Sequence, residues 1–155
     1  MTEKKQEDYE LLTRQIRSLA EISLDETAIL ANASALLYES MPDVNWAGFY
    51  LLKDGALIVG PFQGRPACVR IEKGRGVCGT SWAEDRTLTV PDVHEFPGHI
   101  ACDSASNSEI VVPLHRNGEV FGVLDIDSPL SDRFSEADQK GLRAFAEALE
   151  DLLKG

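Results

Sequence analysis

The firmest constraint on the fold is a hairpin in the last third of the chain. Residues 109–115 and 120–127 are two largely apolar runs that flank Asn117-Gly118. Asn-Gly between such runs is the strongest short hairpin signal, because the favoured two-residue turn needs positive φ at both central positions. One hairpin is marginal in water, so other elements must extend and cover it. Residues 46–52 read as a strand, Lys53-Asp54-Gly55-Ala56 as a turn, and 57–60 as the returning strand. Residues 68–71 and 88–90 read as shorter extended pieces. Between them Gly74-Arg75-Gly76 opens a helical segment that runs through Cys78 to about Glu84.

Helical periodicity flanks these strands. Tyr9, Leu12, Ile16 and Leu19 form one stripe over 5–20, and Ile29, Ala33, Leu36 and Leu37 form another over 25–40, which Met41-Pro42 ends. Ser135-Glu136-Ala137-Asp138 reads as a capped helix start with Asp in place of the usual Glu or Gln. The helix that follows carries Leu142, Phe145, Ala146, Leu149 and Leu152 or Leu153 on one face. The expected fold is α+β: one domain over residues 1–155, with a central antiparallel sheet packed by the N- and C-terminal helices. A chain of 155 residues with 43% apolar content suits one core.

Composition removes several function classes. A net charge of −11 disfavours nucleic acid and anionic membranes as partners. The N-terminus, MTEKKQEDYE, is charged where a signal peptide needs an apolar stretch, and no apolar run reaches membrane-spanning length, so a cytoplasmic location is expected. Three cysteines, an odd number, are no structural disulfide framework in a domain of this size. Each is an apolar filler, a metal ligand or a reactive thiol.

The settings of these cysteines differ. Cys102 lies in residues 91–108, a long irregular stretch with His94, His99 and a polar Ser-rich end. That is poor cover for a filler, and nearby positive charge or amide donors favour a thiolate. Cys68 sits in an expected strand. Cys78 opens a helix, where a small apolar side chain packs well. Asp125 and Asp127 are two apart on a strand and share a face, as do Trp46 and Tyr50, four apart. A regular hairpin about Asn117-Gly118 pairs Ile110 with Asp125, which puts Glu109 on the opposite face unless a bulge shifts the register.

Several strings, NWAGFYLL, GPFQGRPACVRI, GRGVCG, VPDVHEFPGHIACDSASNSEIVVPL and GVLDIDSP, together resemble the free methionine-R-sulfoxide reductases, which use a GAF-type domain. The resemblance spans about Asn45 to Pro129. One departure is GVCGTSW, where Ser81-Trp82 stands in place of smaller residues. The resemblance implies an oxidoreductase in which Cys102 attacks the sulfoxide sulfur and becomes a sulfenic acid, Cys68 resolves it as a disulfide, and Cys78 is a third family cysteine. It further implies that Glu109, Asp125 and Asp127 form an acidic pocket for substrate, that Trp46 and Tyr50 wall it, that no cofactor is bound, that thioredoxin is the external reductant, and that the protein is a homodimer.

Two other readings compete. His94, His99 and Cys102, with Cys68 or Cys78, offer four metal ligands, but there is no CxxC pair and the spacings fit no standard zinc pattern, so no metal site is expected. A GAF domain can also be a non-catalytic small-ligand or redox sensor, yet no output domain or interdomain linker is legible in the residues.

Overall fold

Residues that alternate along the central strands divide between two cores, one on each side of a single sheet. The computed structural model describes residues 2–22, 24–99 and 105–154. Helices α1 (Thr2–Ala20) and α2 (Glu26–Ser40) are followed by strands β1 (Trp46–Lys53), β2 (Ala56–Gly64) and β3 (Arg70–Ile71). Then come α3 (Gly76–Glu84), β4 (Leu88–Val90), a short 3-10 turn at Val93–Glu95, β5 (Ser108–Arg116), β6 (Glu119–Ser128) and α4 (Glu136–Leu152). The sheet has six strands in the order β3-β2-β1-β6-β5-β4, and every pairing is antiparallel.

On one side Ala47 and Phe49 of β1, Ile110, Val112 and Leu114 of β5, and Leu124 and Ile126 of β6 pack under α1, α2 and α4. The helices meet them with Ile16, Leu30, Leu37, Leu142, Phe145 and Leu149, all fully buried. Each large apolar side chain removed from water in this way stabilises the fold by ~1.5–3 kcal/mol. Asp25 caps α2 by accepting from the Ala28 N–H, and Ser135 and Asp138 cap α4 reciprocally, so Asp serves in the place of Glu or Gln. Asp138 also ties α1 to α4: it accepts from Tyr9 Oη at 2.7 Å and pairs with Lys5 and Arg133.

Three sequence expectations need correction. Leu19 is 39% exposed, because α1 turns Ala20 inward after Ile16. The strand after the 53–56 turn does not stop at Gly60: β2 continues to Gly64 through a one-residue shift against β1 between Gly48 and Tyr50. Gly60-Pro61 looks like a terminator but forms that bulge. Pro61 is tolerated because β3 pairs only with Leu57 and Ile58, leaving this stretch of β2 as an edge. Finally, the third strand is Arg70–Ile71, so Cys68 lies just before it.

The other side of the sheet is covered by α3 and the segment around Val93. The fit of α3 is close. Its Gly79 approaches the preceding turn so nearly that a Cβ there would lie 2.5 Å from the Glu72 carbonyl oxygen, and Gly79 O accepts from the Gly74 N–H. That approach presses Cys78 toward the sheet. Among the described residues no helix is long and apolar enough to cross a membrane.

Candidate active site under the sheet

Strand pairing builds the site row by row. Trp46 of β1 lies opposite Asp127 of β6, and Asp127 lies opposite Glu109 of β5. In the next row Gly48 faces Asp125, which faces Val111, and in the third Tyr50 faces Val123. Directly opposed residues share a face, so Trp46, Tyr50, Glu109, Asp125 and Asp127 converge on the side that α3 covers. Glu109 reaches this face through the register shift between Leu114 and His115, where Phe121 is the extra residue on β6. Without that bulge Glu109 would point into the helical core.

Cys78 joins the carboxylates from α3. Its Sγ lies 3.9 Å from Glu109 Oε2, and Cys78, Glu109 and Asp125 are 4%, 8% and 5% exposed. Together with Trp46, Tyr50 and Asp127 they line a cavity of about 50 Å³, several times the roughly 10–15 Å³ that one water needs. Trp46 forms a flat wall: its ring stacks on Tyr50 at 5.8 Å and on Phe62 at 5.0 Å, and its Nε1–H donates to Arg65 O at 3.0 Å. An aromatic face fixed on three sides is a shaped, apolar surface.

The electrostatics follow from burial and crowding. Desolvation first, then the charges of Asp125 and Asp127, push the Glu109 carboxyl well above the usual carboxylate range, and its proton is shared toward those two neighbours. Burial also raises Asp125, but hydrogen bonds from Glu109, Cys78 and Asp127 oppose the rise. Of Glu109 and Asp125, Glu109 therefore holds a proton more firmly. The Cys78 thiol is pushed up by desolvation and then by Asp125, Glu109 and Asp127. A thiol so held is a poor nucleophile. Tyr50 is likewise raised, by burial and then by Asp125.

Cys68 is partly buried, packs against the same lower core and is disulfide-bonded, whereas Cys78 carries a free thiol. Cys102 lies outside the described residues. His99 lines the cavity and is shifted below its ordinary value by burial and by His94. His94 instead bonds Asp92 at 2.9 Å. Among the described residues, the cluster of potential metal-ligating side chains is Cys78, Glu109 and Asp125, with no histidine in it.

Two polar cavity residues, Ser106 and Arg75, escaped the sequence reading. Ser106 is 6% exposed, lines the cavity and accepts from Asn45 Nδ2 at 3.3 Å. Arg75 lines it just before α3. The polar string SASNS and the Gly-flanked Arg75 were the signals present, but both are ordinary loop chemistry in a sequence.

Residues 15–152 match the GAF domain family. The chain is 58% identical over 151 residues to protein YtsP of Bacillus subtilis, covering 96% of this chain and 93% of that one. It is 54% identical over 149 residues to the free methionine-R-sulfoxide reductase of Escherichia coli, covering 96% and 90%. Among solved structures, fRMsr of Staphylococcus aureus in complex with substrate superposes with a TM-score of 0.89 at 52% identity, covering 94% of this chain and 95% of that one. Fold, cavity and relatives agree: this chain belongs to the GAF-domain family of free methionine-R-sulfoxide reductases.

Proposed function

We propose that the chain reduces free methionine-R-sulfoxide to methionine by thiol chemistry in the cavity beneath the sheet. The observation that carries this reading is the row Trp46–Asp127–Glu109, buried at Trp46 and Glu109 and half-buried at Asp127, with the buried Asp125 beside it. A zwitterionic amino acid with an S-methyl group needs an anionic partner for its ammonium and an apolar wall for its methyl. A departing sulfoxide oxygen needs a proton. Asp125 and Asp127 supply the anionic partner, Trp46 and Tyr50 the wall, and Glu109 the proton, since it is the carboxyl held protonated by its surroundings.

Cys102 is the attacking thiolate. Its sulfur attacks the sulfoxide sulfur and takes the oxygen as a sulfenic acid, while methionine departs reduced by two electrons. The Cys68 thiol condenses with that sulfenic acid, releasing water and forming a disulfide. Two electrons and two protons from a thioredoxin dithiol then restore both thiols. The disulfide at Cys68, with Cys78 a free thiol, supports Cys68 rather than Cys78 as the cysteine that forms disulfides in the cycle. Cys78 stands next to the proton donor as a protonated thiol and serves as a third, auxiliary cysteine.

The test is an assay of free and peptide-bound methionine sulfoxide, both sulfur epimers, with thioredoxin or dithiothreitol. Turnover should be confined to the free R epimer, and Cys102→Ser should lower it by at least ~10³-fold, as expected when a nucleophile is removed. A Cys102→Ser protein as active as the parent would overturn the mechanism. Equal turnover of peptide-bound sulfoxide would overturn the substrate.

A further inference from the structure

Cys78, Glu109 and Asp125 come from α3, β5 and β6, yet one ligand atom from each lies within 4.8 Å of the other two. One edge of this triangle, Cys78 Sγ to Glu109 Oε2, is 3.9 Å. Zinc–sulfur and zinc–oxygen bonds of about 2.3 and about 2.0–2.2 Å at a tetrahedral centre put donor atoms roughly 3.5 Å apart. Small side-chain adjustments are enough for the three to share one ion.

A second observation points to a cation. Asp125 is 5% exposed, lines the cavity, and its Oδ1 is buried with no hydrogen-bond partner. A buried carboxylate oxygen whose lone pairs accept no hydrogen bond costs free energy that a positive ligand removes. None of the ion pairs found among the described residues uses Glu109 or Asp125.

We propose that this cluster is a binding site for a borderline-soft divalent cation of the zinc type, held by Cys78 Sγ with the Glu109 and Asp125 carboxylates, and that the bound ion shuts the pocket against substrate. The donor set selects the class. A thiolate favours zinc or cadmium over magnesium and calcium, and two carboxylates disfavour cuprous ion. Binding displaces the Cys78 thiol proton and the Glu109 carboxyl proton, and the dication balances the charge left behind. The blocking half rests on the reading above, in which the same carboxylates hold the substrate's ammonium and protonate its oxygen. The ligands lie in three segments with no metal-type spacing, which is why a sequence reading looks elsewhere for a metal site.

The test uses the full chain with Cys68→Ser and Cys102→Ser, so that Cys78 is its single thiol, titrated with cadmium chloride and read by the ultraviolet thiolate-to-cadmium charge-transfer band. One ion per chain is expected, displaced by zinc chloride and unaffected by magnesium chloride. Adding Cys78→Ser should abolish the band. Asp125→Asn, or Glu109→Gln if the first fails to fold, should weaken binding about tenfold or more, as loss of a direct ligand costs at least what loss of an outer-sphere partner does. Saturating free methionine-R-sulfoxide, which this variant cannot turn over, should weaken cadmium binding to a similar degree. No band, or a band equally tight in both carboxylate variants, overturns the site. A band indifferent to the sulfoxide overturns the block. The titration needs no turnover: a chain that binds cadmium through Cys78 but reduces no sulfoxide removes the functional reading and leaves the site, whereas one that reduces sulfoxide but gives no band removes the site.

Discussion

Two buried carboxylate sites in this molecule stand in opposite states. Asp138, on the helical side, is 1% exposed, and burial alone would raise it. Bonds from the Ser135 backbone, Tyr9, Lys5 and the Ser135 hydroxyl outweigh that, so its carboxyl sits below the ordinary value. Glu109, under the sheet, is buried to a similar extent, but its close partners are Asp125, Asp127 and a thiol, and it is raised. Burial is common to both. The donors around them decide which one is a structural anion and which is an acid. One side of the sheet uses a carboxylate to hold helices together, and the other crowds carboxylates together at a cost in stability.

Exchanging charge for an amide should break this contrast most visibly in rate. Glu109→Gln keeps the shape and removes the proton source, so kcat for free methionine-R-sulfoxide should fall by ~10²–10⁴-fold, the usual span for a lost general acid. A variant within a factor of a few of the parent would remove Glu109 from the chemistry. Next in size, Asp138→Ala should leave the pocket untouched and destabilise the chain by about 3–5 kcal/mol in urea unfolding, since it strands the largely buried Arg133 without its partner. A loss below about 1 kcal/mol would mean that Tyr9, Lys5 and Arg133 gain little from that carboxylate.

How much of this was legible beforehand differs between the two sites. The Asp138 site is local: the string Ser135-Glu136-Ala137-Asp138 announces a reciprocal cap, and the cap forms. The hairpin at Asn117-Gly118, the end of α2 at Met41 and the flanking helices are equally local signals, and all appear. The acid pocket depends on register. Glu109 faces Asp127 because Phe121 is extra, and nothing in the string EVFGVLD distinguishes a bulged strand from a regular one. The approach of Cys78 to Glu109 joins residues 31 apart through the close seat of Gly79 on the Glu72 turn, a contact that no spacing rule describes. Trp46 and Tyr50 were readable from their spacing as sharing a face, whereas their place as a wall beside the carboxylates came from the family resemblance alone.

The same comparison predicts opposite responses to pH. Asp138 has a lowered folded pKa, so its stabilisation is present above the ordinary value of 3.8 and is lost as pH falls through the folded one. Glu109 has a raised folded pKa. Its protonated native form is favoured below the ordinary 4.5, and the molecule loses that advantage as pH climbs through the raised value. Urea unfolding of the parent and Glu109→Gln should therefore diverge with rising pH, the Gln variant gaining on the parent as pH rises above the ordinary 4.5 toward the raised value. A constant difference across that range would mean that Glu109 ionises as easily folded as unfolded.

The smallest predicted effect lies where the two sides are joined. His115, near the end of β5, sets Nε2 against Asp85 at the end of α3 and Nδ1 at 2.8 Å from Glu150 of α4, while its backbone N–H also donates to Glu150. Only an imidazolium donates from both nitrogens. Desolvation lowers its pKa, but the hydrogen bonds and charges of Asp85 and Glu150 overcome this and raise it above 6.5. The stabilisation is thus complete below that ordinary value and fades as pH rises through the raised one. With the His115 side chain 36% exposed, solvent screening keeps the pair terms under about 1 kcal/mol. His115→Gln should cost that little at acidic pH and less at alkaline pH. Because the tie ends on α3, hydrogen exchange of the α3 amides should quicken in the variant while the α4 amides keep their protection. Equal acceleration in both helices would mean that His115 supports the whole edge of the sheet rather than the seat of Cys78.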